Sequence, residues 1–328
     1  MNQMQSMRAG AGNGARGVLE GVAAAIRAGA RATLALVVET EGSTYVDAGG
    51  MALFGGPDGQ VGWLSGGCLE PEIERQARQA DETGSLRWME VDTRDDEDLL
   101  AGSALGCRGR LRIALLPLRA LPGFEQAAQM WLQGGTPLEF AVSDDGAVAV
   151  RAGGTWEWRL PASAPDGPHA GWRLRIDPPP EAIVFGAGPE TPLLLPLLRE
   201  MGWRTTLVER RERWSALAAL ADRRIDGFPA AVADGAQFDA ALVMHHNFEL
   251  DREALAALAP AAIAFVGLLG PVRRREDLFK LLSERERIAL APRLRSPIGL
   301  KLGGQGPQAI ALSIAAQLQA YRHGEETR

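Results

Sequence analysis

A chain of 328 residues exceeds what one hydrophobic core usually organises, so two domains are expected. Its 46% hydrophobic and 23% charged residues match a soluble globular protein and exclude extended disorder. A net charge of −6 without a long basic run argues against nucleic acid and anionic membrane as partners, and no apolar run is long enough to span a bilayer.

Residues 1–14 are polar and rich in Gly and Met, and they read as a frayed terminus without a secretory signal pattern, so the cytoplasm is the expected compartment. The spacing then predicts a helix over 18–28 and a strand over 33–38, followed by Glu41-Gly42-Ser43-Thr44 and Ala48-Gly49-Gly50. Strands over 51–54 and 60–64 flank the turn Gly55-Gly56-Pro57-Asp58-Gly59, which supplies the positive φ angles of a hairpin. Ser65-Gly66-Gly67-Cys68-Leu69-Glu70-Pro71 leads into a helix over 72–80, which places Cys68 near a helix N-terminus. A strand over 86–91, an acidic loop over 92–98, a glycine-rich loop around Cys107 and a strand over 111–116 follow. A weak helix, a meander through 140–158 and Pro-rich stretches complete a mixed α+β domain over 15–178, with a linker at about 160–180.

From residue 179 to 325 the pattern changes. Continuous apolar strands over 182–185, 205–208, 240–244 and 262–266 alternate with helical segments, as in a parallel sheet covered on both faces. Pro192 suits a first helical turn, whereas Pro196 should kink or delay the first helix. The expectation is a Rossmann-like doubly wound domain, opened by Val184-Phe185-Gly186-Ala187-Gly188 at a strand-to-helix turn. Gly186 permits the tight turn, Gly188 lets backbone approach a phosphate, and Glu209 at the end of the next strand can hold a ribose diol. Thr191 in place of the third glycine and Glu190 beside the phosphate position depart from that pattern, with Arg210 and Arg211 as partial offsets. Two readings stay open: NAD(P) or another nucleotide on this turn, or a Rossmann shell without one. His245 and His246 fall at the carboxyl edge of the sheet, with Asp251 nearby, as anion donors, a proton-transfer pair or satisfied loop histidines. Gly267 and Gly270 form a second glycine turn, where Arg273 is a candidate anion ligand and Arg274 and Arg275 fit a solvated helix face. A last glycine loop over 297–304 precedes a helix over 307–320.

Cys68 and Cys107 lack Cys-x-x-Cys spacing, and a reducing compartment disfavours a disulfide. Cys68 follows two glycines at a helix start and Cys107 adjoins Arg108; both settings favour a thiolate able to contact a metal or sulfur. The other reading of each is a small buried hydrophobe.

The order of Gly42-Ser43-Thr44, Gly66-Gly67-Cys68-Leu69-Glu70, Asp95 to Asp98, Gly106-Cys107-Arg108-Gly109, the Gly186 turn, Met244-His245-His246, Gly267-Leu268-Leu269-Gly270 and Ser296-Pro297-Ile298-Gly299 resembles the xanthine dehydrogenase accessory (XdhC/CoxI) family over nearly the whole chain. The resemblance implies a non-catalytic maturation factor, a chaperone that binds molybdenum cofactor as molybdopterin or its dinucleotide form. Such proteins protect the cofactor during sulfuration by a cysteine desulfurase and deliver it to an apo molybdenum hydroxylase. It makes Gly42, Ser43, Gly66, Gly67, Cys68, Glu70, Cys107, Arg108, Gly186, Gly188, Glu209, His245, His246, Gly267, Gly270 and Arg273 the candidate cofactor-binding residues, with Cys107 and Cys68 as molybdenum or sulfur contacts. A homodimer is compatible with that role. Tyr45-Val46-Asp47, Pro189 and Pro271 depart from the family pattern. The competing function is an NAD(P)-dependent oxidoreductase with His245 or His246 as acid–base.

Overall fold

Seven successive buried positions at the start of the strand Ala32–Gly42 (β1) mark a strand covered on both faces. Leu34, Leu36 and Val38 enter one apolar cluster, whereas Ala35 and Val37 enter another, as the two-residue period of a strand requires. The computed structural model describes residues 14–92, 108–162, 171–227 and 238–325. It divides into two compact units, Met1–Pro179 and Pro180–Arg328.

In the first unit the helix Ala15–Arg27 (α1) precedes β1, and β2 (Met51–Gly55), α2 (Glu70–Thr83), β3 (Arg87–Asp92) and β4 (Gly109–Pro117) follow. The antiparallel sheet has the order β2-β1-β4-β3. Ile73, Ala77 and Ala80 of α2 pack on one face with Ala35 and Val37. The other face shares a core with α1, with the helix Phe124–Leu132 (α3), and with a second antiparallel sheet of β5 (Leu138–Ser143), β6 (Ala147–Arg151), β7 (Thr155–Arg159) and β8 (Gly171–Ile176). That sheet, ordered β7-β6-β5-β8, buries Leu138, Phe140, Val142, Val148 and Val150 and turns the alternate residues outward.

Residues 60–64 do not form the expected strand: only Val61 bridges to Leu53. Gly59 and Gly62 take positive φ angles, and the Glu70 carboxylate accepts the Leu64 and Ser65 N–H groups that a longer ladder would have used.

The second unit is a six-stranded, all-parallel sheet of β9 (Glu181–Phe185), β10 (Arg204–Val208), β11 (Arg223–Ile225), β12 (Ala240–Val243), β13 (Phe265–Leu268) and β14 (Leu294–Arg295) in the order β11-β10-β9-β12-β13-β14. The helices α4 (Thr191–Glu200), α5 (Phe248–Leu258), α6 (Val272–Leu281), α7 (Glu284–Leu290) and α8 (Gly306–Arg322) complete it. Two separate apolar clusters line its faces, one with α5 to α7 and one with α4 and α8. This is the doubly wound Rossmann-like architecture that the continuous apolar strands predict. Helix α4 continues through Pro196, with Pro192 in its first turn. The strand expected over 262–266 is displaced to Phe265–Leu268, because the Arg293 guanidinium holds the carbonyls of Leu258, Ala259, Ala261 and Ile263 in a turn. No helix among the described residues is long and apolar enough to cross a membrane.

Candidate functional site

In the first unit, Glu70 organises the loop that carries Cys68. Its Oε1 accepts the N–H groups of Leu64 (3.1 Å) and Ser65 (2.8 Å), and its Oε2 accepts the Ser65 hydroxyl. Ser65 Oγ in turn accepts the Leu69 N–H at 3.0 Å and lies 3.5 Å from Cys68 Sγ. Glu70 and Ser65 are buried, whereas Gly66, Gly67 and Cys68 are exposed at the start of α2. Glu70 is therefore a brace for this loop. The N–H groups of Gly66, Gly67 and Cys68 make no hydrogen bond among the described residues. Gly67 has φ +99°, and a Cβ there would meet only Trp63, at 3.8 Å. The loop is thus a fixed, open arc of backbone donors ending in a thiol.

A second loop pair comes together across β1 and β4. Gly42 pairs with Gly109, and the Ser43 N–H donates to Arg108 O at 3.1 Å. A Cβ on Gly42 would lie 2.4 Å from Arg108 O, and one on Gly109 would lie 2.4 Å from Ser43 O. These glycines are required by close backbone approach, and they set the Gly42-Ser43 motif beside Arg108. Val46 and Leu69 pack against the same apolar cluster, so the loops that follow Gly42 and Ser65 lie over one core. Cys107, Gly106 and the acidic run Asp95 to Asp98 lie outside the described residues.

In the second unit the parallel strands end together, and their following loops converge at the carboxyl edge. Gly186 has φ +90°, and a Cβ there would meet His245 Cα at 2.5 Å. Around it the groups that would face a dinucleotide are already engaged. Ala187 N–H donates to Glu209 Oε2 at 2.7 Å, and Gly188 N–H donates to Thr191 Oγ1 at 2.8 Å. Glu209 is buried and receives the Arg211 guanidinium at both oxygens, at 2.9 and 2.6 Å. The same guanidinium donates to the carbonyls of His245 (2.6 Å) and Ala187 (2.7 Å), tying the ends of β9, β10 and β12 together. Burial pushes the Glu209 carboxyl up, but the Arg211 side chain and the N–H groups of Arg211 and Ala187 outweigh it and hold it below the usual carboxylate range.

His246 covers Gly188. It has φ +54°, and its Nε2 lies 3.0 Å from Oε1 of Glu190, which is buried at the start of α4. The Glu190 hydrogen bond raises the His246 pKa above the usual histidine value, against the opposing effect of burial. His245 points the other way: its N–H and Nδ1 both lie 3.1 Å from Asp251 Oδ1, whose Oδ2 binds Arg274 at 2.6 Å. Asp251 is fully buried, so Arg274 supplies its countercharge.

Five of the expected residues of this unit therefore meet at one edge: Gly186, Gly188, Glu209, His245 and His246. Gly267 does not, because it lies within β13, where a Cβ would strike Ile298 at 2.1 Å. Gly270, at φ +127°, gives passage to the Arg274 side chain. Arg273 is 91% exposed and lies 4.0 Å from Asp277 on its own helix. Arg274 and Arg275, expected on a solvated face, instead reach Asp251 and the Ser296 carbonyl. The buried Asp251 beside two histidines was the available signal for Arg274; nothing local in the sequence marks Arg211 as the clamp of three strands.

Two family models match: the XdhC Rossmann domain over residues 182–318 and the XdhC and CoxI family over residues 25–92. The chain is 27% identical over 310 residues to a protein of Bacillus subtilis (strain 168) named as a probable xanthine dehydrogenase subunit, covering 88% of this chain and 92% of that one. A crystal structure of a protein described as a xanthine dehydrogenase, from Bacillus halodurans, superposes with a TM-score of 0.75 at 26% identity, covering 94% of this chain and 96% of that one. A shorter match, 36% identical over 94 residues, covers 26% of this chain and 17% of an uncharacterised protein of Escherichia coli (strain K12).

Proposed function

This chain belongs to the XdhC and CoxI family, and from that premise we propose that it is a non-catalytic accessory protein that binds molybdenum cofactor and supports the maturation of a xanthine dehydrogenase-type molybdenum hydroxylase. The observation that carries the reading is the loop braced by Glu70, in which an exposed thiol stands beside three backbone N–H groups that bond to none of the described residues. That donor set fits the cofactor's chemistry: a soft sulfur ligand suits molybdenum or a sulfido group, and N–H groups suit an anionic phosphate. Among the described residues no three His, Cys, Asp or Glu side chains converge as a metal cage. When bound, the cofactor supplies the molybdenum centre on which an oxo ligand is exchanged for a sulfido ligand. The protein's own residues hold the phosphate at Gly66 to Cys68, present the Cys68 sulfur, and keep the loop rigid through Glu70 and Ser65. Cys107 and Arg108 belong to the same proposal through the Gly42-Ser43 pairing that fixes Arg108. The partners that follow are the apo hydroxylase and a cysteine desulfurase.

The NAD(P)-dependent reading has lost its anchors to the protein itself, since the Ala187 and Gly188 N–H groups and the Glu209 carboxylate are all bonded internally. The test is cellular: Cys68→Ser should leave the chain folded while lowering the activity of the partner molybdenum hydroxylase at unchanged hydroxylase protein level. Full hydroxylase activity with Cys68→Ser and with Cys68→Ser/Cys107→Ser would refute the role of the thiols.

A further inference from the structure

The outer face of the small sheet in the first unit takes no part in the proposed cofactor site. Its inward residues build the core, so the alternate residues of β5, β6, β7 and β8 form a solvent-facing floor. The middle of that floor is made of small side chains, with Ala141 opposite Ala149, and two adjoining shallow hollows share Ala141, Ala149 and Arg173. Arg151, Glu157 and Arg173 are exposed and make no hydrogen bond or ion pair among the described residues.

The strand register orders these charges. Across the sheet from β8 to β7 one row reads Arg173, Ala141, Ala149, Glu157. The neighbouring row reads Arg175, Glu139, Arg151, Thr155. A twofold axis lying in the plane of the face, along the strands and midway between β5 and β6, keeps each row on itself and exchanges its ends. Arg173 then meets Glu157 of a second copy, Glu139 meets Arg151 of that copy, and Ala141 meets Ala149. Both charged pairs recur by symmetry, and the alanines let the two floors approach closely. An isologous contact requires this self-complementarity. We propose that this sheet face is a homodimer contact, in which two copies of the chain pack face to face about an axis between β5 and β6.

The pattern favours a second copy over a nucleic acid, because the floor presents no aromatic platform, its three tryptophans on β7 and β8 being turned toward the core. The size of the face sets the strength. Four strands about 4.8 Å apart and about five residues long cover roughly 320 Å² per copy, well below the roughly 800 Å² per partner of a standard stable interface. Glu139 already pairs with Arg175 at 3.1 Å, so Arg151 of the second copy adds to an existing ion pair. The contact is therefore weak and salt-sensitive, and it forms at high protein concentration.

Sedimentation equilibrium of the full chain, from about 10 to 300 µM at low salt, tests this directly. The proposal expects a monomer–dimer equilibrium that weakens at least about tenfold between 50 and 500 mM salt. Glu139→Arg alone and Arg151→Glu alone should each weaken dimerisation by about tenfold or more, because like charges then meet. The double reversal Glu139→Arg/Arg151→Glu restores opposite charges and should recover most of the loss. Ala149→Trp, on an exposed face with circular dichroism confirming the fold, should abolish the dimer by separating the floors. A monomer throughout the concentration range would overturn the proposal. So would a dimer that survives both Ala149→Trp and the single reversals, since its contact would then lie elsewhere.

Discussion

Replacing Arg211 by alanine should destabilise the second unit through the ends of β9, β10 and β12. The substitution strips the buried Glu209 carboxylate of its countercharge and leaves the carbonyls of Ala187 and His245 without their donor. Removing one partner of a fully buried ion pair costs about 3–5 kcal/mol. Because the Arg211 side chain is 18% exposed, partial solvation reduces the expected cost to about 2–4 kcal/mol at pH 7. The sign of the pH dependence follows from Glu209. In the native protein its carboxyl is held below the usual value, so its contribution is present above the unfolded pKa of about 4.3 and is lost as pH falls through the lower folded value. Without Arg211, burial pushes the carboxyl up, and the cost of keeping it ionised is relieved as it takes a proton. The difference between native and variant should therefore shrink below about pH 5, leaving about 1 kcal/mol for the lost carbonyl bonds. Urea unfolding read by fluorine NMR of fluorotryptophan at the buried Trp203 isolates this unit from the first. A loss under about 1 kcal/mol at pH 7, or a loss independent of pH from 7 to 4, would refute the clamp.

Calorimetry with NADH or NADPH should detect no binding up to about 1 mM, since the turn's donors are internally used; a Kd below about 100 µM would restore the oxidoreductase reading. His246 should titrate above the usual histidine pKa of about 6.5, and Glu190→Gln should bring it back toward that value in an NMR titration. The His246–Glu190 pair thereby stabilises the fold fully below pH 6.5 and loses that contribution as pH rises through the raised value; an unmoved His246 in the variant contradicts the pairing. Glu70→Ala leaves three donors at the Cys68 loop without their acceptor, a cost of about 2–3 kcal/mol. It should speed amide exchange at Leu64, Ser65 and Leu69 while leaving the second unit unchanged, and uniform exchange would show that Glu70 is not the brace.

The doubly wound architecture was legible because its signal is local: buried parallel strands are apolar at every position, and Gly186 and Gly188 punctuate the first strand-to-helix turn. The sheet of β5 to β8 was readable only as a meander, because the long return that places β8 beside β5 leaves no periodic trace. What the sequence hid was how side chains spend their hydrogen bonds. Glu209 carries the right residue type at the right spacing for a ribose, yet Arg211, two residues on, takes it. Glu70 looked like a ligand beside Cys68, and its burial under Ser65 makes it a support. Arg273 and Arg274 are neighbours in sequence but point about 100° apart around a helix, and only the second reaches Asp251.

The proposed hold on molybdenum cofactor lies at the Cys68 loop. Its most direct test is the molybdenum and pterin content of protein purified from a molybdenum-sufficient host, compared between the native chain and Cys68→Ser. Substoichiometric but clear molybdenum and pterin in equal amounts are expected on the native chain, with at least a several-fold lower content in the variant. A native chain that carries neither, or a variant that carries as much as the native chain, would contradict it.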